Sequence, residues 1–177
     1  MKKNIYIFTR CVWTFINFRS DLVKKIDKTK YNVTVCMDFD GLNKNKIQIS
    51  YSDVSFLEIN FLNAKNKYVN NFKIIIQIFR LFFKNKIDIV HNFTARPIVF
   101  VSLVSLFFKR IRVINTITGL GNNFFKNKRL FLLIYNLIFL ISDRLVFQNK
   151  LDKKTVFKFF PLCFPNGINI FNIHIFK

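Results

Sequence analysis

Two histidines, His91 and His174, are the side chains in this 177-residue sequence whose ordinary pKa suits proton transfer near neutral pH. Neither has a serine or cysteine and a carboxylate at a spacing that would complete a nucleophilic triad. His91 closes a short apolar run and precedes Asn92, Phe93 and Thr94. At a strand end such a histidine can hydrogen-bond or take a proton from a ligand, or sit neutral against backbone, and the sequence leaves both readings open. A second polar cluster, Thr118-Gly119-Leu120-Gly121, holds two of the four glycines. It fits a loop that lets a ligand approach backbone N–H groups, and equally a tight structural turn. The three cysteines, Cys11, Cys36 and Cys163, lie far apart without a CxxC pair, so neither a disulfide framework nor a metal site is indicated. They fit a reducing compartment. No phosphate loop of the GxxxxGK[ST] kind and no GxGxxG fingerprint is present.

The elements that must position these groups follow from hydrophobic periodicity. Residues 5–9 predict a first strand, 15–26 a helix with Phe15, Phe18, Leu22 and Ile26 on one face, and 32–37 a second strand. After a turn around Gly41, residues 47–51 and 55–59 predict two short strands, and 63–71 a polar linker. Residues 72–83 keep helical spacing through Phe72, Ile75, Ile76, Phe79, Phe82 and Phe83. A strand at 87–91, a helix opened by Pro97, a β-branched strand at 111–114, a helix at 130–141, a strand at 144–147 and a basic helix at 151–159 complete the order. Near-continuous apolar strands alternating with helices predict a doubly wound α/β fold with a mainly parallel, Rossmann-like sheet covered on both faces. Its ligand site should lie beyond the carboxyl ends of the strands, at 9–10, 91–94, 115–121 and 148–149.

A 51% hydrophobic share that includes 25 Phe excludes a disordered basic tail and sets one globular domain. The formal charge of +20, from 29 Lys+Arg against 9 Asp+Glu, raises nucleic acid and anionic lipid as partners. Lys, Asn, Ile and Phe are over-used throughout, so a compositional bias that places Lys wherever a polar residue is tolerated explains the charge as well. The basic residues fall in short patches, no helix shows a continuous basic stripe, and no RNP-like pattern organises the aromatics, which disfavours nucleic acid. Met1-Lys2-Lys3 leads into a short apolar run that ends at Arg10, unlike a signal peptide. The apolar stretches at 97–108 and 130–141 fall short of the roughly 20 residues of a spanning helix and read as core or membrane-surface helices.

Several segments, in this order, resemble a known family. They are Asn17-Phe18-Arg19 with Asp21-Leu22, then Asp88-Ile89-Val90-His91-Asn92-Phe93-Thr94 with Pro97, then Val113-Ile114-Asn115-Thr116-Ile117-Thr118-Gly119-Leu120-Gly121, then Asp143-Arg144 with Val146-Phe147-Gln148-Asn149. Together they resemble the N-terminal half of bacterial family 4 glycosyltransferases of the GT-B fold, in the branch that builds capsule, lipopolysaccharide or lipid-linked oligosaccharides.

That resemblance implies a retaining transferase that moves a sugar from a nucleotide-sugar, of the UDP-N-acetylhexosamine type, to a lipid-linked glycan acceptor. In such enzymes an N-terminal domain recognises the acceptor and leans on the cytoplasmic membrane face, while a C-terminal domain binds the donor. The expectation here is an acceptor-binding domain over residues 1–165. Residues 166–177 would start the interdomain linker or form a ragged end, and the donor domain with its paired glutamates would be absent. The chain would then be the product of a disrupted gene or one subunit beside a separate donor-domain chain, inactive alone, with no cofactor and no metal, and peripheral on the inner face of the plasma membrane. The resemblance makes His91 the candidate catalytic residue, although Phe93 stands where many relatives carry a second histidine. It places Asn92, Thr94, Thr118, Gly119 and Gly121 on the acceptor side of the cleft, with Asn17 and Arg19 adding polar or phosphate contacts. Arg10-Cys11-Val12-Trp13 replaces the family's Gly-rich turn after the first strand. The alternative is a noncatalytic basic protein of the membrane surface.

Overall fold

A computed structural model describes residues 1–62, 67–119, 128–159 and 169–172. The elements run β1 (Lys3–Cys11), α1 (Val12–Phe18), α2 (Ser20–Lys25), β2 (Tyr31–Asp38), α3 (Lys44–Ser50), β3 (Ser55–Glu58) and α4 (Lys67–Lys84). They continue with β4 (Ile89–Phe93), α5 (Ala95–Ser105), β5 (Arg112–Ile117), α6 (Lys128–Ile141), β6 (Arg144–Phe147), α7 (Lys150–Phe159) and β7 (Asn169–Asn172). The strands form one seven-stranded sheet in the order β3-β2-β1-β4-β5-β6-β7, every pair parallel. This is the Rossmann-like α/β architecture that the alternation predicts. The strand order reverses between β1 and β4, so a crevice opens at their carboxyl ends.

Because strand side chains alternate between faces, β1 contributes to both cores. Tyr6 and Phe8 join Ile74, Ile78 and Phe82 of α4 and Val101 and Val104 of α5 on one face. Ile7 meets Phe15 of α1, Val23 of α2, Val35 of β2 and Phe56 of β3 on the other. A third cluster, with Ile98, Ile117, Ile138, Phe139, Leu145 and Phe147, covers the β5–β6 half. Acidic residues fix the opposite, amino ends of strands: Asp88 Oδ2 accepts from the Asn4 N–H at 2.8 Å, and Asp143 Oδ2 accepts from the Val113 N–H at 2.6 Å.

Four expectations are corrected. Residues 47–51 are not a strand: 47–50 are the last four residues of α3, whose N-cap Asn43 accepts from the Asn45 N–H, and Tyr51 is its C-cap. Ile47 is buried while Ile49 is 82% exposed, which a strand, with i and i+2 on one face, would not allow. The helix expected over 15–26 is two, broken at Arg19, whose φ of −128° leaves the helical region. The inward face of α4 is Ile74, Ile78 and Phe82, whereas Phe72, Phe79 and Phe83 are exposed; residues 67–71 of the expected linker are its first turn. Apart from these four, residues 169–172, inside the segment expected to start a linker or ragged end, pair with β6 as the sheet's edge strand.

Candidate functional site

His91 lies in β4, in register with Ile7 of β1 and Ile114 of β5. Its Nε2 is 2.8 Å from the Thr116 hydroxyl on β5, and its ring lies 4.2 Å from the Phe93 ring at 34°. Burial first, and then the positive charge of Arg19, push its pKa down to about 3. The ring is therefore neutral at physiological pH and bonded to a side chain, not to backbone. A nitrogen that accepts a proton only near so low a pH is a weak general base, so the arrangement suits His91 to hydrogen bonding better than to proton uptake. An anion placed beside Arg19 would cancel one of the two causes and raise that pKa.

Arg19 stands in the break between α1 and α2, and the break is what carries its side chain across the strand ends. Its guanidinium carbon sits 4.2 Å above the centre of the Phe93 ring. With the Gln148 amide oriented by its hydrogen bonds, the oxygen just past β6 accepts from Nη1 at 2.9 Å and Nη2 at 3.1 Å. Nη1 also donates to the Phe18 carbonyl at 3.0 Å. Burial lowers the pKa of Arg19 to about 10, which leaves it fully charged. One cation thus ties the α1–α2 break to the ends of β4 and β6.

Thr94 follows β4 and stands at the N-cap position of α5, without a side-chain capping bond, at φ 67° and ψ 154°, a left-handed conformation that a β-branched residue rarely adopts. Its hydroxyl donates to the Phe93 carbonyl at 2.5 Å. Thr118 is partly buried and Gly119 exposed just past β5, and a Cβ built on Gly119 would meet nothing within 4 Å. Gly121 lies outside the described residues. Arg19, His91, Thr94, Thr118 and Gly119 thus converge at adjacent strand ends.

Two sequence-predicted residues are elsewhere. Asn92 is fully buried on the face of β4 opposite His91, where its Nδ2 donates to Asn115 Oδ1 at 2.9 Å. Asn115 Nδ2 is in turn within 3.0 Å of Ser102 Oγ and 2.8 Å of Ser142 Oγ, which makes a polar network under α5 and α6. Asn92 is therefore committed to the core. Asn17 is exposed, and its Nδ2 donates back to the Trp13 carbonyl at 2.8 Å within α1. Sequence reasoning placed segments 91–94, 115–121 and 148–149 at the site without singling out Phe93, Thr116 or Gln148 within them. Period-2 spacing could have placed Phe93 beside His91, whereas Gln148 carried no signal beyond its position at a strand end. Among the described residues no group of three or more His, Cys, Asp or Glu side chains comes together.

Residues 5–149 match the family model described as Glycosyl transferase 4-like. Among solved structures, the fold is similar to the UDP-GlcNAc 2-epimerase of Methanocaldococcus jannaschii at 21% identity and a TM-score of 0.54, over 89% of this chain and 42% of that one. A putative UDP-N-acetylglucosamine 2-epimerase from Listeria monocytogenes gives 13% identity and a TM-score of 0.60 over 89% and 42%. MurG of Acinetobacter baumannii gives 11% and 0.53 over 95% and 44%. At such identities the likeness is one of fold, and the chain spans less than half the length of these proteins. No curated protein matches the sequence.

Proposed function

The chain belongs to the glycosyl transferase 4-like family, and from that premise we propose that it supplies the acceptor-side half of a glycosyl transfer. The sugar would come from a nucleotide-sugar of the UDP-N-acetylhexosamine type bound by a second domain or chain, and the acceptor would be a lipid-linked glycan. The observation that carries this reading is the placing of Arg19, neutral His91 and Thr94 at the β1–β4 strand reversal, with Thr118 past the end of the neighbouring β5. Hydroxyl and imidazole groups bond sugar hydroxyls, and Arg19 offers charge to a phosphate. Thr118 and Gly119, just past β5, belong to the proposed acceptor contacts. His91 orients the acceptor in this reading.

A membrane-borne acceptor fits a second feature. Helices α4 and α6 pack on either side of α5, and none of the three contains an Asp or Glu. On α4, Phe72, Phe79 and Phe83 form an exposed stripe at i, i+7 and i+11. Lys73, Arg80 and Lys84, also exposed, run alongside at the same spacing, a basic stripe that the sequence reading did not recognise. Phe107, and Leu133, Leu137 and Leu140 of α6, extend the exposed apolar surface. No described helix is long and apolar enough to cross a membrane. Aromatic stripes beside basic ones suit the surface of an anionic bilayer, which is where this reading seats the chain. The test is binding to nanodiscs of fixed anionic lipid content with and without a polyprenyl-diphosphate-linked sugar. The proposal requires tighter binding to the sugar-bearing discs that persists when salt is raised, and equal binding to both would leave only a lipid-surface protein.

A further inference from the structure

Arg19 is 8% exposed, and no carboxylate among the described residues pairs with it; the ion pairs found there are Lys24–Asp21 and Lys30–Asp27. Burying a guanidinium without a counter-charge is costly, and chains seldom retain one that nothing uses. What surrounds it is neutral: Gln148 and the Phe18 carbonyl accept hydrogen bonds, Phe93 lies under its face, and His91 carries no charge. These contacts occupy a face and the Nη1/Nη2 edge. The lateral edge, formed by Nε–H and the second Nη2–H, meets no acceptor among the described residues. Two parallel N–H donors on one rigid plane match two oxygens of a single phosphate.

We infer that the lateral edge of Arg19 is a phosphate seat, held by Phe93 and Gln148, that takes two non-bridging oxygens of a diphosphate ester at the β1–β4 crevice. Gln148 and Phe93 act as positioning residues, since they fix the plane and direction of the guanidinium without touching the ligand. A carboxylate in place of Gln148 would neutralise the cation and spoil the seat, which accounts for an amide at that position. The diphosphate can belong to a nucleotide donor or to the lipid carrier of an acceptor. In that choice of sources the inference rests on the proposed glycosyl transfer, whereas the phosphate chemistry does not.

The test uses the full chain and three probes: inorganic pyrophosphate, UDP, and neutral-lipid nanodiscs carrying polyprenyl diphosphate. Binding is read by calorimetry, together with the fluorescence of Trp13, the single tryptophan, whose ring lies 5.4 Å from that of Phe18. The seat predicts saturable pyrophosphate binding that weakens about 10- to 100-fold in Arg19→Gln. Arg19→Lys, which keeps the charge but not the fork, should also lose affinity. Gln148→Glu, whose added carboxylate keeps Arg19 hydrogen-bonded and folded, should weaken binding too. The His91 imidazole resonance gives an independent signature, because its pKa should rise when pyrophosphate is added to the wild type and stay put in Arg19→Gln. UDP binding more tightly than pyrophosphate assigns the seat to the donor, and preference for the lipid diphosphate assigns it to the acceptor. Equal affinity of wild type and Arg19→Gln for all three probes overturns the inference, as does failure of every probe to bind the wild type below about 10 mM. If pyrophosphate binds through Arg19 while lipid-linked sugar is not preferred over plain lipid, the transfer reading falls and the seat stands.

Discussion

His91 links the chemistry of the crevice to stability in a way that pH reveals. In the unfolded chain its imidazole titrates near the ordinary value of 6.5, while in the fold burial and Arg19 hold the pKa to about 3. Below about pH 6.5 the unfolded state therefore binds a proton that the native state refuses, so stability is present above that pH and lost as pH falls toward the folded value. With those two values, acidification from about pH 7.5 to about pH 5 removes roughly 2 kcal/mol. Partial exposure of the ring brings the figure toward about 1 kcal/mol. His91→Gln keeps a hydrogen-bonding partner for Thr116 without a titrating group. Urea unfolding of both proteins, followed by circular dichroism at the two pH values, isolates the effect, because carboxylates and His174 contribute alike to each. The wild type should lose about 0.5–1 M more in midpoint than His91→Gln on acidification. Identical losses would show that His91 titrates normally in the fold, and the description of the site as a neutral imidazole beside a buried cation would be refuted.

Three other outcomes follow from the geometry. Asn115→Ala strands the amide of Asn92, whose Oδ1 already lacks a partner, and the hydroxyl of Ser102, while Ser142 Oγ keeps its bond to the Ile138 carbonyl; it should cost about 2–4 kcal/mol in urea unfolding. Thr94→Gly relieves the left-handed backbone at φ 67° and should raise the melting temperature by about 2–4 °C, net of the flexibility gained by the unfolded chain. Replacing Phe72 and Phe83 together by Glu should leave urea stability within about 0.5 kcal/mol, since both rings are well exposed. The same change should abolish sedimentation with anionic vesicles, and unchanged sedimentation would remove α4 from the membrane-facing surface.

Much of the fold was legible because its strands are short apolar runs fenced by Lys, Asn and Asp, and residues 144–147 form a strand with the very bounds predicted. The facing of α4 was not, because Phe occurs on both sides of that helix, and hydrophobicity alone cannot choose an inner face when the outer one is also apolar. Residues 47–51 misled for a related reason: alternating Ile47 and Ile49 mimic a strand, and the cap at Asn43 decides otherwise. At the site, His91 and Thr94 were singled out from their place at a strand end, and the structure sets them there. Asn92 was grouped with them although adjacent strand residues point to opposite faces, a rule that the sequence already supplied. The meeting of Arg19 with Phe93 and Gln148 depends on a helix break and on strand order, neither of which residue spacing encodes. Nor did four residues of β7, with their alternation too short to register, announce an edge strand.

The central claim is that a lipid-linked glycan binds where the β1 and β4 ends part. Hydrogen–deuterium exchange tests it most directly, with the chain on nanodiscs of matched lipid composition that carry or lack the polyprenyl-diphosphate-linked sugar. The account predicts that the sugar-linked lipid adds protection at residues 9–19, 93–96, 117–119 and 148–149, beyond any seen on plain discs. Protection confined to α4, α5 and α6, and the same on both kinds of disc, would contradict it.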